Sequence, residues 1–98
     1  MITVRLEERG VTVSGHAGYA GRGQDIVCAA VSAVLYVQVR LLQRDNALED
    51  LHVEDGLVRL RLREGARCDA LELGARWIAG EYPRCVQVIS QTQAAVAQ

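Results

Sequence analysis

Cys28 is the residue of this sequence that is best placed to act as a nucleophile. If Asp25 is the N-cap of the helix that follows it, Cys28 is the third helical residue. There, unpaired N–H groups and the positive end of the helix dipole favour a thiolate. The same free amides near Val27 and Cys28 could hold an oxyanion. The position is therefore suited to nucleophilic chemistry.

His16 lies on the other side of a glycine-rich loop, at the end of a predicted strand. It could fold back over the helix start, as base to the thiol and later as acid to a leaving amine. Asp25 then has two possible roles, capping the helix or orienting His16. Against this, a lone cysteine is commonly a small buried apolar residue. On spacing alone that packing interpretation is favoured, because one cysteine and one histidine coincide easily.

The glycine-rich loop does not match a nucleotide-binding motif. Its glycines indicate a flexible backbone that neighbours can approach closely; they are Gly15, Gly18, Gly21 and Gly23. After the last two, the dinucleotide fingerprint requires glycine at position 26, where this sequence has isoleucine. All 11 basic residues are arginine, so the P-loop lysine is missing as well. A net charge of -1 also argues against broad nucleic-acid binding.

The sequence predicts no metal, cofactor, disulfide framework or membrane segment. Its three cysteines, Cys28, Cys68 and Cys85, form no C-x-x-C pair, so the spacing of a zinc site is missing. The N-terminus alternates apolar and polar residues, unlike a signal peptide. The longest apolar run, residues 26–37, is shorter than the about 20 residues that cross a bilayer. We therefore expect a cytoplasmic protein with reduced cysteines.

Hydrophobic periodicity predicts one domain, residues 1–98, with the element order ββαββαβ. This order is typical of an α+β two-layer sandwich, in which two helices pack against a largely antiparallel sheet. Between the third and fourth strands, Asp55-Gly56 is a type I′ turn signal. The Gln/Ala-rich residues 91–98 are expected to form a frayed tail.

The two predicted helices differ in their apolar faces. The first, from about Asp25 to Arg44, is apolar on nearly every side. This predicts that a second surface, besides the sheet, buries the helix, and the interface of a homodimer is the simplest such surface. The second ends before Pro83, and its apolar face includes Trp77, which we expect in the core.

Residues 14–33 resemble the signature of the bacterial ribosomal-processing cysteine proteases. The resemblance rests on Ser-Gly-His-Ala-Gly-Tyr-Ala at 14–20 and on Gly-x-Asp-Ile-Val-Cys-Ala-Ala-Val-Ser-Ala at 23–33. It implies a homodimeric protein whose nucleophile is Cys28 and whose base is His16. Asp25 and Ser32 also fall on signature positions, as supporting residues. The loop would cover the site and contact substrate, through Gly15, Gly18, Tyr19, Gly21 and Gly23.

The resemblance also implies a substrate. Members of this family remove an N-terminal extension from large ribosomal subunit protein twenty-seven, so the expected partner is that ribosomal protein precursor. One alternative is a non-catalytic, ribosome-associated peptide-binding module in which Cys28 is a packing residue. A thiol-based redox switch is a further alternative.

Overall fold

The computed structural model describes residues 1–21 and 23–90, and the predicted tail, 91–98, lies outside the described residues. In chain order the elements are β1 (Ile2–Glu7), β2 (Gly10–Ser14), α1 (Ile26–Arg44), β3 (Leu48–Glu54), β4 (Leu57–Leu62), α2 (Asp69–Glu81) and β5 (Val86–Ser90). The prediction of a mixed α+β fold with five strands and two helices is confirmed.

The five strands form one sheet in the order β3-β4-β2-β1-β5. Every neighbouring pair is antiparallel except β1 and β5, which run parallel. In the β2–β4 pair, Ser14 lies opposite Leu57, the first residue of β4. The turn between β3 and β4 therefore lies beside the end of β2, where the loop toward α1 begins. The Gly15 N–H donates to the Gly56 carbonyl at 2.9 Å and joins these two segments.

That turn is not the predicted type I′. A type I′ turn needs a positive φ at both central residues. Gly56 has a φ of +73°, but among the described residues Asn46 is the only non-glycine with a positive φ, so Asp55 lacks one. The hairpin itself forms as expected, with β3 and β4 paired antiparallel.

The core lies between one face of the sheet and the two helices. Alternate residues of β1, namely Ile2, Val4 and Leu6, are buried, as period-two patterning requires. The helices add residues spaced three or four apart; these are Val27, Val31, Leu35, Val39 and Leu42 from α1, and Leu71, Ala75 and Ile78 from α2. The first turn of α1, which contains Cys28, is thus fixed to the core through Val27.

The contact between the helices is partly polar. Gln38 of α1 is 3% exposed, and its Oε1 accepts the Leu71 N–H at 2.9 Å. Leu71 lies in the first turn of α2, whose N-cap residue, Cys68, makes no side-chain capping bond. Helix α2 is therefore capped from α1 rather than by its own sequence. Close approach continues at Gly74, where an added Cβ would lie 2.7 Å from a methyl group of Val34.

The prediction that Trp77 lies in the core is wrong. Trp77 is 72% exposed, and Leu73, one turn earlier on α2, is 76% exposed. The core side of α2 is formed by Leu71, Ala75 and Ile78, and Trp77 falls outside it. On α1, Tyr36 and Val37 are also exposed. An apolar face remains on the outside of the two helices.

Helix α1 is 19 residues long and therefore extends beyond the apolar run at residues 26–37. By length and composition alone, α1 is long and apolar enough to cross a membrane, a property that the core helices of soluble proteins share. In this fold, one side of α1 packs in the core, including the buried Gln38.

Candidate active site

The first turn of α1 is capped by Asp25. Its backbone is extended, with φ −86° and ψ 98°, and its Oδ1 accepts the N–H groups of Val27 at 3.0 Å and Cys28 at 2.9 Å. Cys28 is thus the third residue of the helix. The prediction that the Val27 and Cys28 amides are free to hold an oxyanion is wrong, because the Asp25 carboxylate already occupies both donors.

The other carboxylate oxygen of Asp25 holds the glycine-rich loop. Oδ2 accepts the N–H of Tyr19 at 3.0 Å, with that of Ala20 at 3.5 Å. The Cys28 N–H, more than any other group, lowers the pKa of this carboxyl, with help from the three other amides and against the cost of desolvation. Asp25 is therefore ionised near neutral pH. Of its two predicted roles, the structure shows helix capping, and no hydrogen bond to His16 is found among the described residues.

His16 follows the end of β2 and packs beside the β3–β4 turn. A Cβ added at Gly56 would lie 3.2 Å from His16 Nε2, so the absence of a side chain there lets the ring approach the turn backbone. The Gly15 N–H bond to the Gly56 carbonyl fixes the same turn to the segment that carries the histidine. The imidazole itself is exposed.

The Cys28 side chain is half-buried and packs against the core. Its Sγ accepts a hydrogen bond from the backbone N–H of Ala17 at 3.3 Å. Ala17, the residue after His16, is 3% exposed. The segment that carries the histidine therefore also donates a hydrogen bond to the cysteine sulfur.

His16 and Cys28 line one cleft of about 490 Å³. The other lining residues are Gly18, Ala20, Gly23, Asp25, Ala29 and Asp55. No hydrogen bond joins the imidazole to the sulfur in the described part of the chain. The cleft nevertheless brings a potential base and a potential nucleophile to one surface, as acyl transfer through a cysteine requires.

Four predicted site residues do not line this cleft. Gly15 bonds to the β3–β4 turn, and the Gly21 carbonyl accepts the Gln24 N–H at 2.9 Å. Tyr19 packs edge-to-face on Tyr82, with ring centroids 5.6 Å apart and an interplanar angle of 85°. Ser32 is half-buried one turn beyond Cys28.

Three lining residues, Ala20, Ala29 and Asp55, were missed by the sequence reasoning. Asp55 could have been found only by pairing β2 with β4, since that pairing brings the turn to the loop.

The remaining cysteines are in less favourable surroundings for nucleophilic attack. Burial, with a smaller contribution from Asp69, raises the pKa of the Cys68 thiol to about 11. Cys85 is half-buried and packs against the core. Within residues 1–21 and 23–90, no group of three or more His, Cys, Asp or Glu could hold a metal ion.

Comparison with known proteins identifies the family. The family model described as cysteine protease Prp matches residues 1–92. The chain belongs to this family. It is a cysteine protease, and the alternative of a non-catalytic binding module is not favoured.

Two Prp relatives are named ribosomal processing cysteine proteases. The protein from Mycoplasma pneumoniae is 50% identical over 98 residues, covering 93% of this chain and 96% of that protein. The protein from Mycoplasma genitalium is 36% identical over 46 residues, covering 47% of this chain and 46% of its own length.

Solved structures, two of them of Prp, share the fold. A Staphylococcus aureus Prp with a covalently linked product peptide has a TM-score of 0.83 at 24% identity, covering 93% of this chain and all of that one. The same protease with a substrate peptide gives a TM-score of 0.74, with the same identity and coverage. The protein SMU.848 from Streptococcus mutans gives 0.65 at 25% identity, covering 92% of this chain and 93% of its own.

Proposed function

We propose that this Prp-family chain is a cytoplasmic, single-domain endopeptidase that processes a ribosomal protein precursor through Cys28 and His16. The observation that carries the proposal is the cleft at the start of α1 that both residues line. Relatives named ribosomal processing proteases supply the substrate class. The specific substrate is the N-terminal extension of large ribosomal subunit protein twenty-seven, as the signature at residues 14–33 implies.

In the acylation step, the Cys28 thiolate adds to the scissile carbonyl carbon, and the C=O π electrons move to oxygen. The tetrahedral intermediate collapses as His16, in its protonated form, gives its proton to the leaving amine nitrogen. A thioester on Cys28 and a free amine product result. Water then attacks the thioester while His16 takes its proton, and Cys28 leaves as the thiolate with release of the carboxyl product.

The cleft suits an extended peptide with small side chains near the bond that is cut. Half of its lining residues are glycine or alanine, namely Gly18, Ala20, Gly23 and Ala29. These leave room for a peptide backbone to approach the sulfur closely. Specificity should therefore come from residues that contact the loop rather than from one deep pocket.

The most direct experiment is to incubate the protein with the precursor from its own organism and follow the precursor mass. Cleavage is expected with the parent protein, loss of cleavage with Cys28→Ala, and a large loss with His16→Ala. Cys85→Ala is the matched control and should keep activity, since that thiol lies outside the cleft. Cleavage that persists in Cys28→Ala overturns the mechanism, and an intact precursor with the parent protein overturns the substrate.

The proposal includes a homodimer formed through the outer apolar face of the two helices. This face comprises Tyr36 and Val37 of α1 with Leu73 and Trp77 of α2, which are 55–76% exposed. Val37, Leu73 and Trp77 line one apolar groove, and an exposed apolar patch is typical of protein association. Because the face lies outside the cleft lining, the paired molecules would leave both active sites open.

Sedimentation tests the dimer. The parent protein is expected to sediment as a dimer at micromolar concentration, and Trp77→Arg as a monomer. Leu51→Arg is the matched control, because Leu51 is also an exposed apolar residue but lies on β3, away from this face. A parent protein that is monomeric at these concentrations, or a Trp77→Arg variant that stays dimeric, contradicts the proposed interface.

A further inference from the structure

Three backbone amides of the glycine-rich loop point toward the start of α1. The N–H groups of Tyr19 and Ala20 donate to Asp25 Oδ2, and the N–H of Ala17 donates to Cys28 Sγ. Asp25 thus anchors the loop immediately after the point at which it contacts the sulfur. Ala17 itself is buried and packs in the core.

The helix supplies less help to a thiolate than its first turn suggests. Asp25 takes the N–H groups of Val27 and Cys28, so these two donors are already occupied. A thiolate at Cys28 therefore needs a donor that Asp25 does not occupy, and the Ala17 N–H is such a donor.

We propose that the backbone N–H of Ala17 is a catalytic group that stabilises the Cys28 thiolate by a hydrogen bond. The proposal deepens the proposed function, because it rests on Cys28 being the nucleophile. Hydrogen bonds to a charged acceptor are roughly twice as strong as those between neutral groups, so the 3.3 Å contact strengthens when the thiol ionises.

The loop is held at both ends of the segment that carries this donor. The Gly15 N–H donates to the Gly56 carbonyl on one side, and the Tyr19 N–H donates to Asp25 on the other. His16 and Ala17 lie between these anchors, so the base and the thiolate donor are positioned by the same backbone. The donor is a main-chain group, and for that reason no side-chain pattern in the sequence points to it.

The test removes this one N–H and leaves the side chains unchanged. The chain is short enough for chemical synthesis, with residues 1–27 as a thioester joined to residues 28–98 at Cys28. Lactic acid in place of Ala17 replaces the amide by an ester of nearly the same shape that has no hydrogen to donate. The matched control has glycolic acid in place of Gly18, whose N–H has no hydrogen-bond partner among the described residues.

The readout is the pH dependence of iodoacetamide alkylation at Cys28, followed by mass spectrometry. The titratable side chains that line the same cleft are His16, Asp25 and Asp55, so each profile is repeated with His16→Gln. Loss of the Ala17 N–H is expected to raise the pH midpoint of alkylation by about one unit. Below the midpoint, about tenfold less thiolate is then present at a given pH. The loss should also lower kcat/KM for peptide cleavage about tenfold. The Gly18 ester should leave the alkylation midpoint unchanged, because the hydrogen bond to the sulfur comes from Ala17.

The outcomes separate this inference from the proposed function. An Ala17 ester with the parent alkylation profile overturns the thiolate donor, whereas cleavage by Cys28→Ala overturns the nucleophile itself. If the ester does not fold, the all-amide protein supplies a second measurement. With ¹⁵N at Ala17, its amide proton resonance should shift downfield over the pH range in which Cys28 becomes reactive, and an unchanged resonance overturns the proposal.

Discussion

Replacing Gln38 by methionine is expected to lower the free energy of unfolding by about 2 kcal/mol. Gln38 Oε1 accepts the Leu71 N–H at 2.9 Å, and Leu71 is 0% exposed, so water cannot replace the lost acceptor. A buried donor without a partner costs about 1–3 kcal/mol. Methionine has nearly the volume of glutamine and a poor acceptor, so the variant removes the hydrogen bond without leaving a cavity.

Urea denaturation at one fixed protein concentration measures this change. With an m-value of about 2 kcal/mol per molar, the unfolding midpoint should fall by about 1 M. The melting temperature should fall by roughly 8–16 °C. Gln43→Met is the matched control: it is an exposed glutamine on the same helix, and its midpoint should hardly move. If Gln38→Met and Gln43→Met have equal midpoints, the idea that α1 caps α2 is refuted.

Two further predictions concern the buried Cys68 thiol and the glycines of α2. Burial raises the pKa of Cys68 from 9.0 to about 11, so the folded state binds this proton more tightly; the resulting stability is present below about pH 9 and lost as pH rises through about 11. Urea midpoints at pH 8 and pH 10.5 should show this loss in the parent and in Cys85→Ala but a smaller one in Cys68→Ala; equal losses in all three contradict it. Gly74→Ala should destabilise by about 1 kcal/mol, because the new Cβ meets a stiff Val34 methyl at 2.7 Å. At Gly80 an added Cβ would meet nothing within 4 Å, so Gly80→Ala should instead stabilise the protein by about 0.5–1 kcal/mol. If Gly74→Ala stabilises the protein as much as Gly80→Ala does, the clash with Val34 is ruled out.

Local signals in the sequence were sufficient for the elements that carry the site. Asp25 before an apolar run predicted the start of α1, and the structure places it at the N-cap. Asp55-Gly56 predicted the second hairpin, although Gly56 alone has a left-handed φ. Both signals act over a few residues, and this is the range in which residue type decides backbone conformation.

The arrangement of the site depended on interactions that local patterns do not encode. The β2–β4 pairing brings Gly56 beside His16, and no strand order could be read from periodicity. The amides of Val27 and Cys28 looked free because a helix start has unpaired donors, but the same Asp25 that caps the helix takes them. The prediction that Trp77 lies in the core was wrong because an apolar residue near the inner face of a helix can also lie on an outer face.

The parallel pairing of β1 with β5 has a consequence for biosynthesis. Ile2 of β1 lies opposite Val86 of β5, so β1 can pair along this edge only after β5 has been synthesised. At about 5–20 residues per second, a ribosome adds the roughly 80 intervening residues in about 4–16 s. Throughout that time this edge of β1 has no strand beside it. The sheet is thus completed only after β5 has been made, and a nascent chain stalled before Val86 would keep one edge open to pairing with other chains.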